Sequence, residues 1–268
     1  SSTDNCPGQT VAQTSGLASG ATFPIGVTTN SFMVTDASGN TATCSFTVTV
    51  NDTQLPTITC NAPIVVSNDI NVCGAVVNYT VSSTDNCAGQ TVAQTSGLAS
   101  GATFPIGTTT NSFMVTDVSG NTATCSFTVT VNDTQLPTIT CNAPIFVSND
   151  NNVCGAAVNY TVSSTDNCAG QTVQQTSGLA SGATFPIGVT TNTFKVTDAS
   201  GNTATCSFTV TVNDTQLPTI TCNAPIVVSN DNNICGAVVN YTVSSTDNCP
   251  GQTVAQTSGL ASGATFPI

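Results

Sequence analysis

The chain lacks the residue types on which many functional sites depend. Its 268 residues contain no histidine and no tryptophan, and Lys195 is the one basic residue beside 13 acidic residues, all of them aspartate. Nucleic-acid binding is excluded, because the neutralisation of phosphates requires clusters of Lys and Arg. The absence of histidine removes histidine acid–base catalysis and Cys/His zinc sites, and leaves no base to activate Ser or Thr hydroxyls. We therefore expect no enzyme and no required cofactor.

Long hydrophobic runs and helical periodicity are also missing. A membrane-spanning helix needs an apolar run of about 18 residues or more. No run in this sequence approaches that length, so the segment is predicted to contain no membrane span. What is present instead is alternation of apolar and polar residues over short stretches bounded by Gly, Pro, Asn and Asp. This period of two is typical of half-buried β-strands.

The alternation is clearest in the second half of a repeating unit. One face of the segment 122–131 carries apolar side chains and the other carries Thr and Ser, and Phe113 and Val115 alternate in the same way before the turn Asp117–Asn121. Further short strands are predicted at 57–60, 64–67, 91–95 and 103–106, and around Val77, Tyr79 and Val81. About seven short strands separated by turns predict an all-β fold, an immunoglobulin-like sandwich.

The chain repeats itself at a fixed interval. The motif Ser-Thr-Asp-Asn-Cys ends at Cys6, Cys87, Cys168 and Cys249, and residues 60–140 differ from 141–221 at 8 of 81 positions. Such arrays are usually structural or adhesive. We predict four tandem domains: a partial repeat at 1–52, repeats at 53–133 and 134–214, and a partial repeat at 215–268. We also expect both ends to lie within repeats of a longer chain.

Several motifs carry a resemblance to a known family. They are Leu-Pro-Thr-Ile-Thr-Cys at 136–141, Asn-Val-Cys-Gly-Ala at 71–75, Phe-Pro-Ile-Gly-Thr-Thr at 104–109 and Val-Thr-Asp-Val-Ser-Gly-Asn-Thr-Ala-Thr-Cys-Ser-Phe at 115–127. Together with the Ser-Thr-Asp-Asn-Cys motif they resemble the hyalin repeat, or HYR domain. The resemblance implies an immunoglobulin-like fold, an extracellular adhesive or structural setting and no catalytic residues. Near-identical tandem copies are similar to giant surface proteins of Bacteroidetes-type bacteria.

Four cysteines in each small unit predict two disulfides in an oxidising compartment. In the expected sandwich, Cys87 and Cys125 lie at one end, and Cys60 and Cys73 flank one turn. The predicted pairs are therefore Cys6–Cys44, Cys60–Cys73, Cys87–Cys125, Cys141–Cys154, Cys168–Cys206 and Cys222–Cys235. Cys249 is expected to be unpaired within these residues.

Aspartates recur at fixed places, and the expected topology brings several of them to each junction between repeats. The candidate calcium ligands are Asp52, Asp85, Asp117, Asp133, Asp166, Asp198, Asp214 and Asp247. Ca²⁺ prefers six to eight oxygen ligands, which clustered carboxylates would supply. The alternative is that these aspartates only cap turns through Asx hydrogen bonds. The sequence leaves both interpretations open.

These observations predict an extracellular or cell-surface array that serves as a stalk, filament or adhesin shaft. Its partners would be neighbouring repeats of the same long chain and other copies in a fibre. The alternative hypothesis is a repetitive binding module whose loops or threonine-rich faces contact glycans or ice. That alternative would need an exposed aromatic platform or a flat regular face.

Overall fold

The computed structural model describes residues 1–268, and the protein is built from β-strands alone. The strands of the first half are β1 (Thr10–Ser15), β2 (Gly26–Thr35), β3 (Thr41–Val50), β4 (Thr57–Thr59), β5 (Ile64–Ser67), β6 (Gly74–Val76), β7 (Ser82–Thr84), β8 (Thr91–Ser96), β9 (Thr103–Pro105), β10 (Gly107–Thr116) and β11 (Thr122–Asn132). Those of the second half are β12 (Thr138–Thr140), β13 (Ile145–Ser148), β14 (Gly155–Ala157), β15 (Ser163–Thr165), β16 (Thr172–Ser177), β17 (Thr184–Pro186), β18 (Gly188–Thr197), β19 (Thr203–Asn213), β20 (Thr219–Thr221), β21 (Gly236–Val238), β22 (Ser244–Thr246) and β23 (Thr265–Pro267). No helix suited to crossing a membrane is present.

The chain forms two compact units. The first comprises Ser1–Ser67 and Gly74–Asn132, and the second comprises Asn68–Cys73 and Asp133–Ile268. The strands β4–β11 recur as β12–β19 one repeat later. The loop Asn68–Cys73 belongs by its contacts to the second unit, although the strands on both sides of it belong to the first.

Within the first unit, two layers of strands enclose a core. One layer is a four-stranded sheet in the order β5-β11-β10-β8, in which β5 runs parallel to β11 and the other pairs are antiparallel. The short pairs β4–β7 and β6–β9 contribute the opposing side chains. The strands β12–β19 of the second unit have the same sheet orders. The predicted all-β, immunoglobulin-like sandwich of 81-residue period is confirmed.

The core consists of the side chains that the alternation assigned to the inner face. Phe113 on β10 and Phe127, Val129 and Val131 on β11 are buried, and they contact Phe104 on β9 of the opposing layer. Outward positions are exposed: Lys195, at the position of Met114 one repeat earlier, faces solvent. The in/out assignment of the long strands is therefore confirmed.

The segment around Tyr79 is not the strand that its alternation predicted. Val77 is buried and exchanges backbone hydrogen bonds with Gly101 and Ala102, whereas residues 78–81 belong to no strand and Tyr79 is partly buried. The Tyr79 hydroxyl donates to the Leu98 carbonyl, and its ring meets the rings of Phe113 and Phe127 edge-on. The alternation of apolar and polar residues at 77–81 therefore reflects burial of one side of the segment, and such burial does not require pairing with a neighbouring strand.

A buried asparagine holds the bend at the end of β8. Asn111 on β10 is fully buried, and its Oδ1 accepts hydrogen bonds from the Leu98 amide at 2.7 Å and from Gln94 Nε2 at 3.4 Å. Gly97 has a φ of 90°, and a Cβ at this residue would lie 1.9 Å from Asn111 Oδ1. Only glycine fits this contact, and the same arrangement recurs at Gly178 and Asn192.

The residues before and after these two sandwiches form smaller assemblies. In the first unit, β1, β2 and β3 make a three-stranded sheet in that order. In the second unit, residues 215–268 form the pairs β20–β22 and β21–β23. These pairs repeat those made by β4 with β7 and by β6 with β9.

Candidate functional site: disulfides and acidic clusters

One disulfide in each sandwich crosses its core. Cys60, just after β4, bonds to Cys125 on β11 with a Cα–Cα distance of 5.9 Å, and Cys141 bonds to Cys206 in the same way. The predicted pairs Cys87–Cys125 and Cys168–Cys206 are therefore wrong. The reason is the pleat of β11, which turns Cys125 to the inner face with Phe127, so its partner must come from the opposing layer. Cys87 lies near the hairpin but outside this core.

A second disulfide joins each repeat to the next. Cys73 bonds to Cys168 and Cys154 to Cys249, each across 95 positions, with Cα–Cα distances of 4.9 and 4.8 Å. The predicted pairs Cys60–Cys73 and Cys141–Cys154 are wrong, and Cys249 is bonded where the sequence left it unpaired. We call Cys73–Cys168 and Cys154–Cys249 the junction disulfides.

The loop Asn68–Cys73 is shaped to carry its cysteine to the following repeat. Asn71 adopts a φ of 60°, a left-handed conformation that asparagine tolerates. Its amide donates to Gln135 Oε1 at 2.8 Å, and Gln135 Nε2 donates to Asn71 Oδ1 at 3.1 Å. Asn68 Oδ1 accepts from the Thr134 amide. These bonds fasten the loop to the residues that link one repeat to the next, so Cys73 lies away from Cys60.

Five cysteines are not bonded within residues 1–268, because the spacings of 65 and 95 positions seen in the four disulfides place their partners outside these residues. They are Cys6, Cys44, Cys87, Cys222 and Cys235. The predicted pairs Cys6–Cys44 and Cys222–Cys235 are therefore absent. Burial raises the pKa of the Cys87 thiol, and the carboxylates of Asp52, Asp85 and Asp117 raise it further, because thiolate formation would add a negative charge beside them.

Three of the predicted aspartates meet in the second unit. Carboxylate oxygens of Asp133, Asp166 and Asp198 lie within 4.8 Å of one another, and we call these three residues the second cluster. Asp133 follows β11, Asp166 follows β15, and Asp198 follows β18. The cluster therefore combines the end of one repeat with two loops of the next. Asp133 and Asp198 are both buried.

Neighbouring donors satisfy most oxygens of the second cluster, but one oxygen has no partner. Asp133 accepts from Asn167 Nδ2 at 3.4 Å and from the Ser200 hydroxyl at 3.3 Å. The Cys168 amide donates to Asp166 Oδ2, whereas Asp166 Oδ1 is buried and has no hydrogen bond. A buried carboxylate oxygen without a donor is unfavourable, and it is an observation that turn capping alone does not explain.

Asp198 is the member of the second cluster with the strongest local support. Its Oδ1 accepts from the amides of Ser200 and Asn202, and its Oδ2 accepts from Asn202 Nδ2 at 2.8 Å. Burial alone would raise the pKa of Asp198, but these hydrogen bonds together hold it below its ordinary value of 3.8. Asp198 is therefore ionised at neutral pH inside the cluster.

The equivalent place in the first unit has a different composition. Asp52, Asp85 and the thiol of Cys87 lie within 4.8 Å of one another, and we call them the first cluster. Asp117, predicted as its third carboxylate, stands beside it: Asn121 Nδ2 donates both to Asp117 Oδ2 and to the Asp52 carbonyl. Asp85 Oδ1 is buried without a partner, as at Asp166.

The remaining two predicted aspartates lie together in the second unit. Asn248 Nδ2 donates to Asp214 Oδ1 at 3.4 Å, as Asn167 does to Asp133. Asp247 Oδ1 is again buried without a donor. The unpartnered oxygen thus recurs at Asp85, Asp166 and Asp247, always in the motif Ser-Thr-Asp-Asn-Cys.

Comparison with known families agrees with this repeated architecture. The family model of the HYR domain matches three successive stretches, residues 1–50, 51–131 and 132–212. The chain belongs to the HYR domain family.

Two curated proteins illustrate where such domains occur. Hyalin of Strongylocentrotus purpuratus is 35% identical over 254 residues, which are 91% of this chain and 21% of that protein. The serine-rich adhesin for platelets of Staphylococcus aureus strain MSSA476 is 31% identical over 204 residues, covering 67% of this chain and 8% of the adhesin. This chain therefore spans only a small part of the length of either protein.

Comparison with solved structures matches two cadherin fragments at low similarity. The first three extracellular domains of Drosophila N-cadherin align with 79% of this chain and 91% of that chain, at 10% identity and a TM-score of 0.34. Five extracellular domains of protocadherin gamma B2 align with 71% and 46%, at 14% identity and a TM-score of 0.33.

The second cluster of these HYR domains has the chemistry of a hard-cation site. Its ligand atoms are carboxylate oxygens, and Ca²⁺–oxygen distances of about 2.3–2.6 Å allow two ligands on opposite sides of one ion to be about 4.6–5.2 Å apart. The observed limit of 4.8 Å fits this spacing. The first cluster fits less well, because a thiol is a poor ligand for Ca²⁺.

Sequence reasoning missed the polar side chains that complete the HYR clusters. Asn202 donates to the Asp133 carbonyl and to Asp198, and Asn167 donates to Asp133 and to the carbonyl of Val72. One signal was available: Asn follows Asp at 166–167, and the turn 198–202 begins with Asp and ends with Asn in every copy. The contacts across repeats had no such signal.

Proposed function

We propose that this chain is a load-bearing segment of an extracellular adhesive or structural array. The observation that carries the proposal is the pair of near-identical sandwiches, each with its own core and its own core-crossing disulfide, linked in series by a junction disulfide. Four disulfides fit an oxidising compartment outside the cytoplasm. The similarity to hyalin and to a platelet adhesin supports an adhesive or structural role.

The proposal keeps the predicted domains at 1–52, 53–133, 134–214 and 215–268. Its partners are neighbouring repeats of the same chain and further copies of the chain in a fibre. A shaft of this kind requires domains that resist bending and pulling, and it requires no catalytic group. Binding to another surface is assigned to sequences other than these repeats.

Electron microscopy of the native protein tests this function. We expect a thin filament or stalk with a regular axial repeat that corresponds to one unit of the sequence. Limited treatment with reductant should make the particles irregular before they dissociate, since the junction disulfides would open. A compact globular particle without an axial repeat would rule out the shaft.

We further propose that Ca²⁺ binds at the second cluster and stiffens the connection between repeats. Three carboxylates, two of them on buried residues, face one another in a chain with a single cation, so their mutual repulsion would be relieved by a divalent ion. Asp166 Oδ1 supplies an unpartnered ligand atom. Asn167 Nδ2 and the Ser200 hydroxyl, which now donate to Asp133, would turn away when the ion binds.

Calorimetric titration with Ca²⁺ and thermal melting with and without EGTA test the calcium proposal. Sites in extracellular modules bind at about 0.1–1 mM, so about 5 mM Ca²⁺ should raise the melting temperature by several degrees. Asp166→Asn should weaken binding at least about tenfold. Asp4→Asn, which removes the same charge from an exposed residue outside both clusters, is the control. Identical melting curves in Ca²⁺ and EGTA would leave only the turn-capping role.

A further inference from the structure

The disulfides define more than one covalent route along the array. We propose that they give it two load paths that use different residues, so that the array cannot lengthen far under tension and stays joined when one path is cut. This inference deepens the proposed shaft function. It rests on which cysteines are bonded and on the segments that connect them.

The first path runs through the core-crossing disulfides. A force that reaches Cys60 passes through its bond to Cys125, then along the chain to Cys141 and through its bond to Cys206. Cys125 and Cys141 are 16 positions apart. The residues between them are most of β11, the linker 133–137 and β12.

The second path runs through the junction disulfides and goes backward along the chain inside each repeat. From Cys73 it crosses to Cys168, returns along the chain to Cys154 and crosses to Cys249. Cys154 and Cys168 are 14 positions apart, so the path crosses a repeat through this short segment instead of through the whole unit. This path contains none of the residues between Cys125 and Cys141.

The segment of the second path contains two short strands of the folded repeat. It contains β14 and β15, and between them Val158 is buried and Tyr160 is partly buried against the core. Its two ends reach disulfides that leave the repeat in opposite directions, Cys168 toward the preceding repeat and Cys154 toward the following one. The segment therefore runs from one junction to the other.

Chain lengths decide how far a repeat can be pulled out. A fully extended chain spans about 3.5 Å per residue, so an unfolded 81-residue repeat reaches about 280 Å. The two disulfide-limited paths reach only about 54 and 62 Å per repeat, when the Cα–Cα distances of 4.9 and 5.9 Å across their disulfides are included. The folded strand β19 is 11 residues long, or about 36 Å at 3.3 Å per residue. Both paths therefore become taut long before an unfolded repeat would reach its full length, so the extension of each repeat is limited.

The two paths also protect one another. The linker between β11 and β12 belongs only to the first path, and it lies in the stretch 126–140, which neither Cys60–Cys125 nor Cys141–Cys206 encloses. Leu136 in this linker is 60% exposed, whereas Asp133 and Pro137 are buried. Cys73–Cys168 spans it. A cut there leaves the second path intact.

Single-molecule stretching of the oxidised chain, with handles at residues 1 and 268 and a protease site inserted between Gln135 and Leu136, tests the proposal. The shortest route between the handles passes through both junction disulfides and comprises about 105 residues, against 268 after reduction. We expect a maximal extension about 2.5-fold shorter than in reductant. Cleavage of the inserted site should neither break the tether nor lengthen it.

Two variants separate the paths. When Ser replaces Cys at 73, 168, 154 and 249, cleavage should break the tether. When Ser replaces Cys at 60, 125, 141 and 206, cleavage should leave it joined at an unchanged limit. Intact mass after alkylation verifies which bonds each variant has formed. The proposal is overturned if cleavage releases the handle from the oxidised parent chain, or if that chain extends to its reduced length without reductant. A globular native particle would refute the shaft and leave these results unaffected.

Discussion

The first and second clusters come from equivalent positions in successive copies of the repeat, yet they differ in composition. In the second cluster the cysteine of the motif, Cys168, is tied to Cys73, and three carboxylates face one another. In the first cluster Cys87 is a free thiol that lies among the carboxylates, and Asp117 stands aside. The 95-position spacing of the junction disulfides places the partner of Cys87 before Ser1, so the difference shows what the loop of a preceding repeat contributes. In the second cluster that loop supplies the disulfide and the Val72 carbonyl to which Asn167 donates.

Breaking the junction disulfide Cys73–Cys168 should give the second cluster the composition of the first cluster, in which a free thiol lies beside the carboxylates. In Cys73→Ser, Cys168 becomes a buried thiol beside Asp133 and Asp166. We expect a loss of about 2–4 kcal/mol in unfolding free energy, because a 95-residue cross-link is removed from the unfolded chain. This corresponds to a fall of about 5–15 °C in the melting temperature of a chain of this size. Differential scanning calorimetry measures it.

The matched control for that variant is Cys222→Ser, which removes an exposed, unbonded cysteine. It should melt within about a degree of the parent chain. Non-reducing mass analysis must also show that Cys168 has not found another partner. Equal melting temperatures for Cys73→Ser and Cys222→Ser would mean that the junction disulfide does not hold the second unit together.

The thiol of the first cluster offers a second way to sharpen the comparison. Because burial and three nearby carboxylates raise the pKa of Cys87, we expect it to react with iodoacetamide severalfold more slowly at pH 8 than the exposed Cys235. Asp52→Asn should accelerate its reaction. The peptides are distinguishable by mass, since Ala88 follows Cys87 and Ile234 precedes Cys235. A Cys87 that reacts as fast as Cys235 would place it outside the acidic cluster.

Acid should affect both clusters alike, and this is the smallest expected effect. Burial raises the pKa values of Asp117 and Asp198, but their hydrogen bonds, led by those from Asn121 and Asn202, hold both below 3.8. A lowered folded-state pKa contributes stability that is present above the unfolded value and is lost as pH falls through the folded value.

Melting temperature should therefore decline slightly as pH falls below about 4, even in EGTA. Asp198→Asn should flatten part of this decline, since it removes one of the titrating groups. The exposed Asp4→Asn should leave the pH profile unchanged. A decline that begins near neutral pH would point to groups other than these carboxylates.

Local patterns in the sequence were sufficient to predict the sandwich but not the disulfides. The alternation on β10 and β11 predicted which side chains are buried, because neighbouring positions on a strand face opposite layers. The same pleat assigns Cys125 to the core, and this could have directed it to Cys60. The prediction instead paired cysteines that were expected at the same end of the sandwich, and it did not consider the layer toward which each side chain points.

The partner of Cys73 could not be predicted from one repeat. In a chain of near-identical copies every cysteine has an equivalent in the neighbouring copy, so spacing alone does not distinguish a bond within a repeat from a bond to the next. The choice depends on the left-handed turn at Asn71 and its contacts with Gln135. The same loop determines which acidic cluster is completed, and whether Ca²⁺ occupies it stays a prediction.

The 95-residue separation within the junction disulfide also imposes an order in time. During synthesis the amino-terminal residues emerge first, so Cys73 meets Cys87, only 14 positions away, long before Cys168 is made. Cys60 can close onto Cys125 within its own repeat. The native bonds therefore require each sandwich to fold first and to separate Cys73 from Cys87. Every newly completed repeat then waits with one reactive thiol until its successor has been made.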